Sequence, residues 1–235
     1  MRETEFENGE YYHIYNRGVD QREIFVDESD YDRFVQNMFL FNDKTYFDRG
    51  DIFDKIVRLS GSQIFENERE PFVQIVAYTL LPNHYHFLLE QLVDGGISKF
   101  LHKLNKGYSR YFNLRYNRTG TLFQGPFKAK HLNGDTYASH IIPYIHLNIL
   151  DHGKHDWREG RIEDWTSALA EMDRYKWSSH QYYRGKNQPF PLVDSQNRLK
   201  WFGSMEEYSS TLREWSSRNF IEELEEGLTT KVINR

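Results

Sequence analysis

The chain has no cysteine among its 235 residues. Disulfides, thiolate metal sites and cysteine nucleophiles are therefore excluded, and a reducing cytoplasm is the expected setting. The first residues, MRETEFENGE, lack the apolar stretch of a secretory signal. No apolar run approaches the roughly 20 residues that a membrane-spanning helix needs, so no membrane partner is expected. No Gly-x-x-x-x-Gly-Lys phosphate loop, internal repeat or low-complexity tract occurs. The most informative absence is local. Between Gly95 and Gly134 there is no aspartate or glutamate, while Lys99, Lys103, Lys106, Arg110, Arg115, Arg118, Lys128 and Lys130 all fall there.

A formal net charge of −5 argues against a nucleic-acid partner, whose usual footprint is basic. Its distribution argues the reverse. The acid-free segment carries +8 and the rest of the chain −13, so a local anion-binding surface is available on an otherwise acidic protein. Phe100, Tyr108, Tyr111, Phe112, Tyr116, Phe123 and Phe127 are interleaved with the cations. Cations that track phosphates and aromatics that stack bases suit single-stranded nucleic acid. Lys103, Lys106, Arg110, Arg115, Arg118 and Lys128 are the expected contacts. The alternative for each aromatic on the apolar stripe is a place in the core.

Glu10 to Asn16 (EYYHIYN) reads as a first strand, followed by the turn-prone Asn16-Arg17-Gly18. Ser29 or Asp30 is placed to cap a helix to about Phe41, with Tyr31, Phe34, Val35, Met38 and Phe39 on one face. Residues 43 to 70 read as an extension of that helix plus a loop. Phe72 to Leu81 and His84 to Glu90 form a hairpin about Pro82-Asn83. Gly96 to about Asn117 is a long helix with an apolar stripe and a basic one. A loop from Arg118 to Gly125, a strand from Phe127 to Leu132 and a helix from Asp135 to Leu150 complete the core. The order β-α-β-β-α-β predicts an α+β, ferredoxin-like (RRM-like) antiparallel sheet with helices on one face. Residues 1–155 are expected to form the catalytic domain. Residues 156–235 read as a mostly helical C-terminal extension.

His84-Tyr85-His86 is the sharpest chemical signal. Residues two apart on a strand share a face, so both imidazoles can converge on one ion while Tyr85 anchors the strand from behind. The spacing alone also describes two ordinary histidines on a half-exposed strand. His13, on the first strand, can approach the same place or serve as a core histidine. His146, His131, His140, His152 and His155 have no spacing that points to a role.

The surrounding residues change the weight of that pair. The full run is Leu80-Leu81-Pro82-Asn83-His84-Tyr85-His86-Phe87-Leu88-Leu89-Glu90. With it stand Asn16-Arg17-Gly18, Tyr108-Ser109-Arg110-Tyr111-Phe112-Asn113, Gly120-Thr121-Leu122-Phe123-Gln124-Gly125-Pro126-Phe127-Lys128, Tyr144-Ile145-His146-Leu147-Asn148 and Trp177-Ser178-Ser179-His180. In this order, over roughly residues 10 to 185, the chain resembles the HUH endonuclease superfamily, specifically its REP-associated, IS200-like single-tyrosine transposases. The resemblance implies cleavage and rejoining of single-stranded DNA at hairpin-forming sites through a 5′-phosphotyrosine intermediate. It makes Tyr144 the nucleophile. It implies Mg²⁺ or Mn²⁺ held by His84 and His86, with Asn148, one helical turn from Tyr144, as a third ligand. Members of the family act as monomers or as dimers with exchanged tyrosine helices, so a homodimer is compatible.

Two residues depart from the family pattern. Pro143 precedes the nucleophile, so the helix is expected either to begin there or to kink. Ile149 stands where the family has proline. Two other readings stay open: a binding module on the same fold that does not cut, and a metal hydrolase without a covalent step. A core aromatic is the alternative for Tyr144.

Overall fold

The aromatic run at the N-terminus becomes β1 (Tyr11–Arg17), an interior strand of a four-stranded sheet in the computed structural model. The structure describes residues 5–44, 69–132, 135–153, 155–188, 190–194 and 200–217. Most of the stretch expected to extend the first helix, residues 45–68, lies outside them. The other strands are β2 (Val73–Leu81), β3 (His84–Gln91) and β4 (Lys128–Leu132), in the order β2-β3-β1-β4 with every pair antiparallel. With α1 (Glu28–Phe41) and α2 (Gly96–Arg115) between the strands, this is the ferredoxin-like arrangement the element order predicts.

Strand alternation sorts the side chains of β3. Tyr85 and Phe87 turn to one face, where the Tyr85 hydroxyl donates to Asn105 Oδ1 of α2 at 2.9 Å and Phe87 packs on Phe34 and Phe100. Those contacts put α1 and α2 on this back face. Phe34 and Met38 from α1, with Leu101 and Leu104 from α2, are fully buried there. Gly107 is required by the helix contact, because a Cβ at that position would stand 2.6 Å from the Phe41 ring.

The cap of α1 is Asp27 rather than Ser29 or Asp30. Its carboxylate accepts from the amides of Ser29 and Asp30, a bond worth about 1 kcal/mol. Asp30 is drawn inward instead and is fully buried. It accepts from the Val26 amide (2.9 Å), the hydroxyls of Tyr111 (3.1 Å) and Tyr116 (2.8 Å), and Arg115 (3.0 Å). The helix stops at Phe41 because the next residue turns its side chain to β2. Asn42 Nδ2 donates to the Val73 carbonyl at 2.7 Å, and its Oδ1 accepts from the amides of Phe72 and Val73.

The front face is covered as well. Helix α3 (Asp135–Leu147) runs through Pro143 without ending and tightens into a 3₁₀ turn, Asn148–His152. Its Ile141, Ile142, Ile145 and Leu147 are fully buried. The extension adds α4 (Trp165–Arg174), α5 (His180–Tyr183) and α6 (Met205–Ser216). It also shields the β2 edge: Leu80 donates to the Trp177 carbonyl, Ser179 to the Tyr78 carbonyl, and Ile75 bridges Val193. Trp157, Met172, Tyr208 and Leu212 from beyond residue 155 join the same apolar cluster as Ile14 and Leu88 of the sheet. Among the described residues, no helix is long and apolar enough to cross a membrane.

Candidate active site

The front face of the sheet carries polar rings where the back face carries apolar ones. Tyr15 pairs with His86 and Arg17 with His84 across β1 and β3. His13, His86 and Tyr15 form a row of rings: His13 stacks on His86 with centroids 5.2 Å apart, and Tyr15 stacks on His86 at 5.8 Å. His84 lies 5.0 Å from His86, edge to face. Tyr144 comes down from α3 and meets this row edge-on, 5.8 Å from His13 and 6.0 Å from His86. The structure thus brings His84, His86 and Tyr144 together and adds His13 and Tyr15.

Hydrogen bonds fix the imidazoles. His84 Nδ1 lies 2.6 Å from Asn83 Oδ1, an atom that can only accept, so Nδ1 carries the proton and Nε2 the lone pair. That is the tautomer a metal ligand needs. His86 Nδ1 lies 3.0 Å from His13 Nε2. Burial, and then the charges of His13, His84 and Arg158, hold His86 well below the ordinary imidazole range, so it stays neutral. Burial lowers His13 to about 3, with the Lys130 cation adding to the effect. Its Nδ1 is buried and makes no hydrogen bond among the described residues.

Asn148 is placed differently from the expectation. It is fully buried, and both ends of its amide are engaged. Nδ2 donates to the Tyr144 carbonyl at 2.6 Å and Oδ1 accepts from Arg158 Nη2 at 2.7 Å. A metal that takes that oxygen has to share it with the guanidinium or displace it. Among the described residues no three His, Asp or Glu side chains are grouped to hold a metal ion. Two imidazoles fit a divalent cation; the amide as arranged does not complete the set.

A cavity of about 620 Å³ opens beside His84, lined in part by Tyr15, Arg17, Gln124 and Lys128. Arg17 hydrogen bonds to Gln124 at its rim. Lys128, one of the expected DNA contacts, lines the same cavity as His84, with its ammonium 5.7 Å from the Tyr15 ring centre. Tyr144 does not line this cavity and is 6% exposed.

The other expected cations are elsewhere. Lys103, Lys106 and Arg110 lie on α2, in the back layer, and the Lys103 ammonium sits 4.2 Å over Phe72. Arg115 is committed to ion pairs with Asp27 (2.5 Å) and Asp30 (3.0 Å). Arg118 folds back to Asn113 Oδ1 at 3.0 Å. The interleaved aromatics are also accounted for: Phe100, Tyr108, Phe112, Phe123 and Phe127 are buried, while Tyr111 and Tyr116 bind Asp30. They take the core alternative rather than a base-stacking role.

A second polar cluster ties α3 to the extension. The Tyr208 hydroxyl stands 2.7 Å from both His146 Nδ1 and His180 Nδ1. His146 Nε2 reaches Ser179 Oγ at 2.7 Å, and His180 Nε2 reaches Asp173 at 3.2 Å. Burial, then the neighbouring His180, holds His146 well below its ordinary range. His180 gives Asp173 its largest downward push, to about 2, and Arg184 adds to it.

Sequence reasoning missed Arg158 and Tyr15 and left His13 open. Tyr15 carried a usable signal, since it shares the β1 face of His13 and pairs with a strand that bears His-x-His. Arg158 carried none, because it stands in a charged stretch without periodicity.

With the sheet order and the seating of the tyrosine above a histidine-bearing strand described, the chain can be compared with known proteins. Residues 46–148 match the family model described as "Transposase IS200 like". That stretch contains His84, His86, Tyr144 and Asn148 and stops short of Arg158. A solved structure of a REP-associated tyrosine transposase bound to a REP hairpin is similar in fold, with a TM-score of 0.50 at 15% identity, covering 83% of this chain and 92% of that one. No curated protein matches. The family match supports the transposase resemblance read from the motifs, and the solved structure supports the fold.

Proposed function

We propose that this protein cuts and rejoins single-stranded DNA through a covalent tyrosine intermediate, with a divalent cation held by His84 and His86. The observation that carries the reading is the seating of Tyr144 edge-on against His13 and His86, beside a cavity lined by His84, Arg17 and Lys128. The solved structure of similar fold is bound to a REP hairpin, which supports a hairpin-forming, single-stranded DNA as the substrate here.

The Tyr144 hydroxyl attacks the scissile phosphorus. The tyrosyl O–P bond forms, the P–O3′ bond breaks, and the departing 3′ oxygen leaves with a proton as a free hydroxyl. Rejoining reverses these events with another 3′-OH, so the phosphodiester energy is conserved and no nucleotide triphosphate is required. Bound Mg²⁺ or Mn²⁺ would polarise the phosphate and stabilise charge on its oxygens. The chain supplies the rest. Asn83 sets the His84 tautomer, His13 orients the His86 ring, and Arg17 with Lys128 draws the backbone into the cavity.

The test incubates the protein and Mn²⁺ with hairpin oligonucleotides that carry randomised single-stranded flanks. A denaturation-resistant protein–DNA adduct is expected, lost completely in Tyr144→Phe. His84→Ala and His86→Ala should lose cleavage and keep binding to within a few fold. Binding without any adduct would establish the non-cutting module instead. Turnover with free 5′-phosphates on every cut strand, retained in Tyr144→Phe, would establish a hydrolase.

A further inference from the structure

Arg158 lies beyond the stretch that matches the family model, yet it stands at the nucleophile. Its turn (Trp157–Glu159) is anchored by Trp157, which is buried, meets the Tyr144 ring at 6.0 Å and donates from Nε1 to Asp151 Oδ1 at 2.7 Å. Asp151 then takes one edge of the guanidinium, accepting from Nε at 2.9 Å and from Nη2 at 2.7 Å. Nη2 also gives its second proton to Asn148 Oδ1 at 2.7 Å. Tyr144, Asn148 and Asp151 are spaced i, i+4 and i+7, so the helix and the turn that continues it present one side to Arg158.

These bonds use three of the five N–H groups and fix the plane of the guanidinium. The two on Nη1 take no part in them. The guanidinium carbon lies 5.8 Å from the Tyr144 ring centre, and the Tyr144 hydroxyl is among the groups that favour its charge. Burial works against that charge, but the bond and charge of Asp151, followed by Tyr144, outweigh it and raise the pKa. Arg158 is thus a permanent cation, held rigidly and in side-chain hydrogen-bond contact with Tyr144, beside the atom that attacks phosphorus. A fixed cation where oxygen charge develops is an efficient way to lower a phosphoryl-transfer barrier.

We propose that Arg158 is a further catalytic residue, whose Nη1 edge binds a non-bridging oxygen of the phosphoryl group as it passes to and from Tyr144. The proposal rests on Tyr144 as the nucleophile. It also gives Asn148 a role apart from metal ligation, as one of the two acceptors that aim the guanidinium. The bland alternative is a clip that merely fastens the extension to α3.

Charge neutralisation at the substrate separates the two. The adduct-forming member of the oligonucleotide pool is synthesised with a single methylphosphonate at the scissile position, which removes the non-bridging charge. On ordinary phosphate, Arg158→Gln, which keeps donors for Asp151 and Asn148, should slow adduct formation by about 100-fold or more. Binding of the uncut oligonucleotide should change less than about threefold, and Arg158→Lys should recover part of the rate. On methylphosphonate, wild type and Arg158→Gln should differ by less than about fivefold. A wild-type rate for Arg158→Gln on phosphate, or an equal loss on both substrates, overturns the proposal and leaves the clip. An adduct that survives Tyr144→Phe, or a wild type that forms none, sinks the nucleophile assignment first and the proposal with it.

Discussion

The two faces of the sheet are built from alternate residues of the same strands and obey different rules. On the back face, Tyr85 and Phe87 meet α1 and α2 through aromatic packing, and the fully buried Asp30 is answered by Arg115, Tyr111 and Tyr116. On the front face the same strand presents His84 and His86, and α3 with the turn that continues it arrives with Tyr144, His146 and Asn148. Packing holds the back face together. The front face adds, beside the packed isoleucines of α3, hydrogen bonds between polar groups that are costly to bury unpaired. Stability and chemistry are thus segregated by a period of two residues.

Substitutions can break that comparison. The largest effect is expected from Phe87→Ala, which empties a fully buried back-face site and should cost about 3–5 kcal/mol in denaturant unfolding. Adduct formed per folded molecule should stay near wild type. A selective loss of activity in that variant would show that the faces are not independent.

Tyr208→Phe removes the hydroxyl between His146 and His180 and is expected to cost about 1–3 kcal/mol. Because His146 sits on the nucleophile helix, the rate of adduct formation should fall too. An unchanged rate would make the cluster purely structural.

The third test is acidity. His13 is neutral in the fold, with its pKa lowered to about 3, but takes up a proton near 6.5 when unfolded. Its stabilising contribution is complete above that pH and is lost as the pH falls from about 6.5 towards 3. Stability should decline with a slope approaching about 1.4 kcal/mol per pH unit from this group alone, with His146 and His180 adding in the same direction. His13→Gln should flatten the slope in urea titrations between pH 7 and 5.

The smallest effect belongs to the exposed back layer. Lys106→Ala should alter stability by less than about 0.5 kcal/mol. If DNA reaches that layer, the slope of log affinity against log salt should drop by about one unit; otherwise it should not move.

What the sequence shows and what it hides divide along the same sheet. The elements were legible because they depend on local periodicity: the hairpin at Pro82-Asn83, the stripe of α2 and the helix from Asp135 all stand within a few residues of expectation. The histidine pair and Tyr144 were legible through motif order. The acid-free basic segment was legible as charge but not as direction. Arg115 turns to Asp27 and Asp30, residues more than 80 positions away, and no local pattern reports such a partner. Pro143 left a helix start or a kink open, and α3 does not start there, because tertiary packing of its isoleucines outweighs one lost hydrogen bond. Arg158 was invisible for the reason Arg115 was misjudged: both act through contacts set by the fold.

The extension that closes the front face has a consequence in time. The ribosome releases Tyr144 well before Arg158 and longer still before Tyr208, so a chain still being made has its tyrosine helix but not the residues that seat it. Back-face packing uses mainly segments made earlier, with Trp177 and Phe190 added against α1 afterwards. A nascent chain can therefore fold most of its scaffold before the Tyr144 site is assembled, and that site would be complete only once α6 docks.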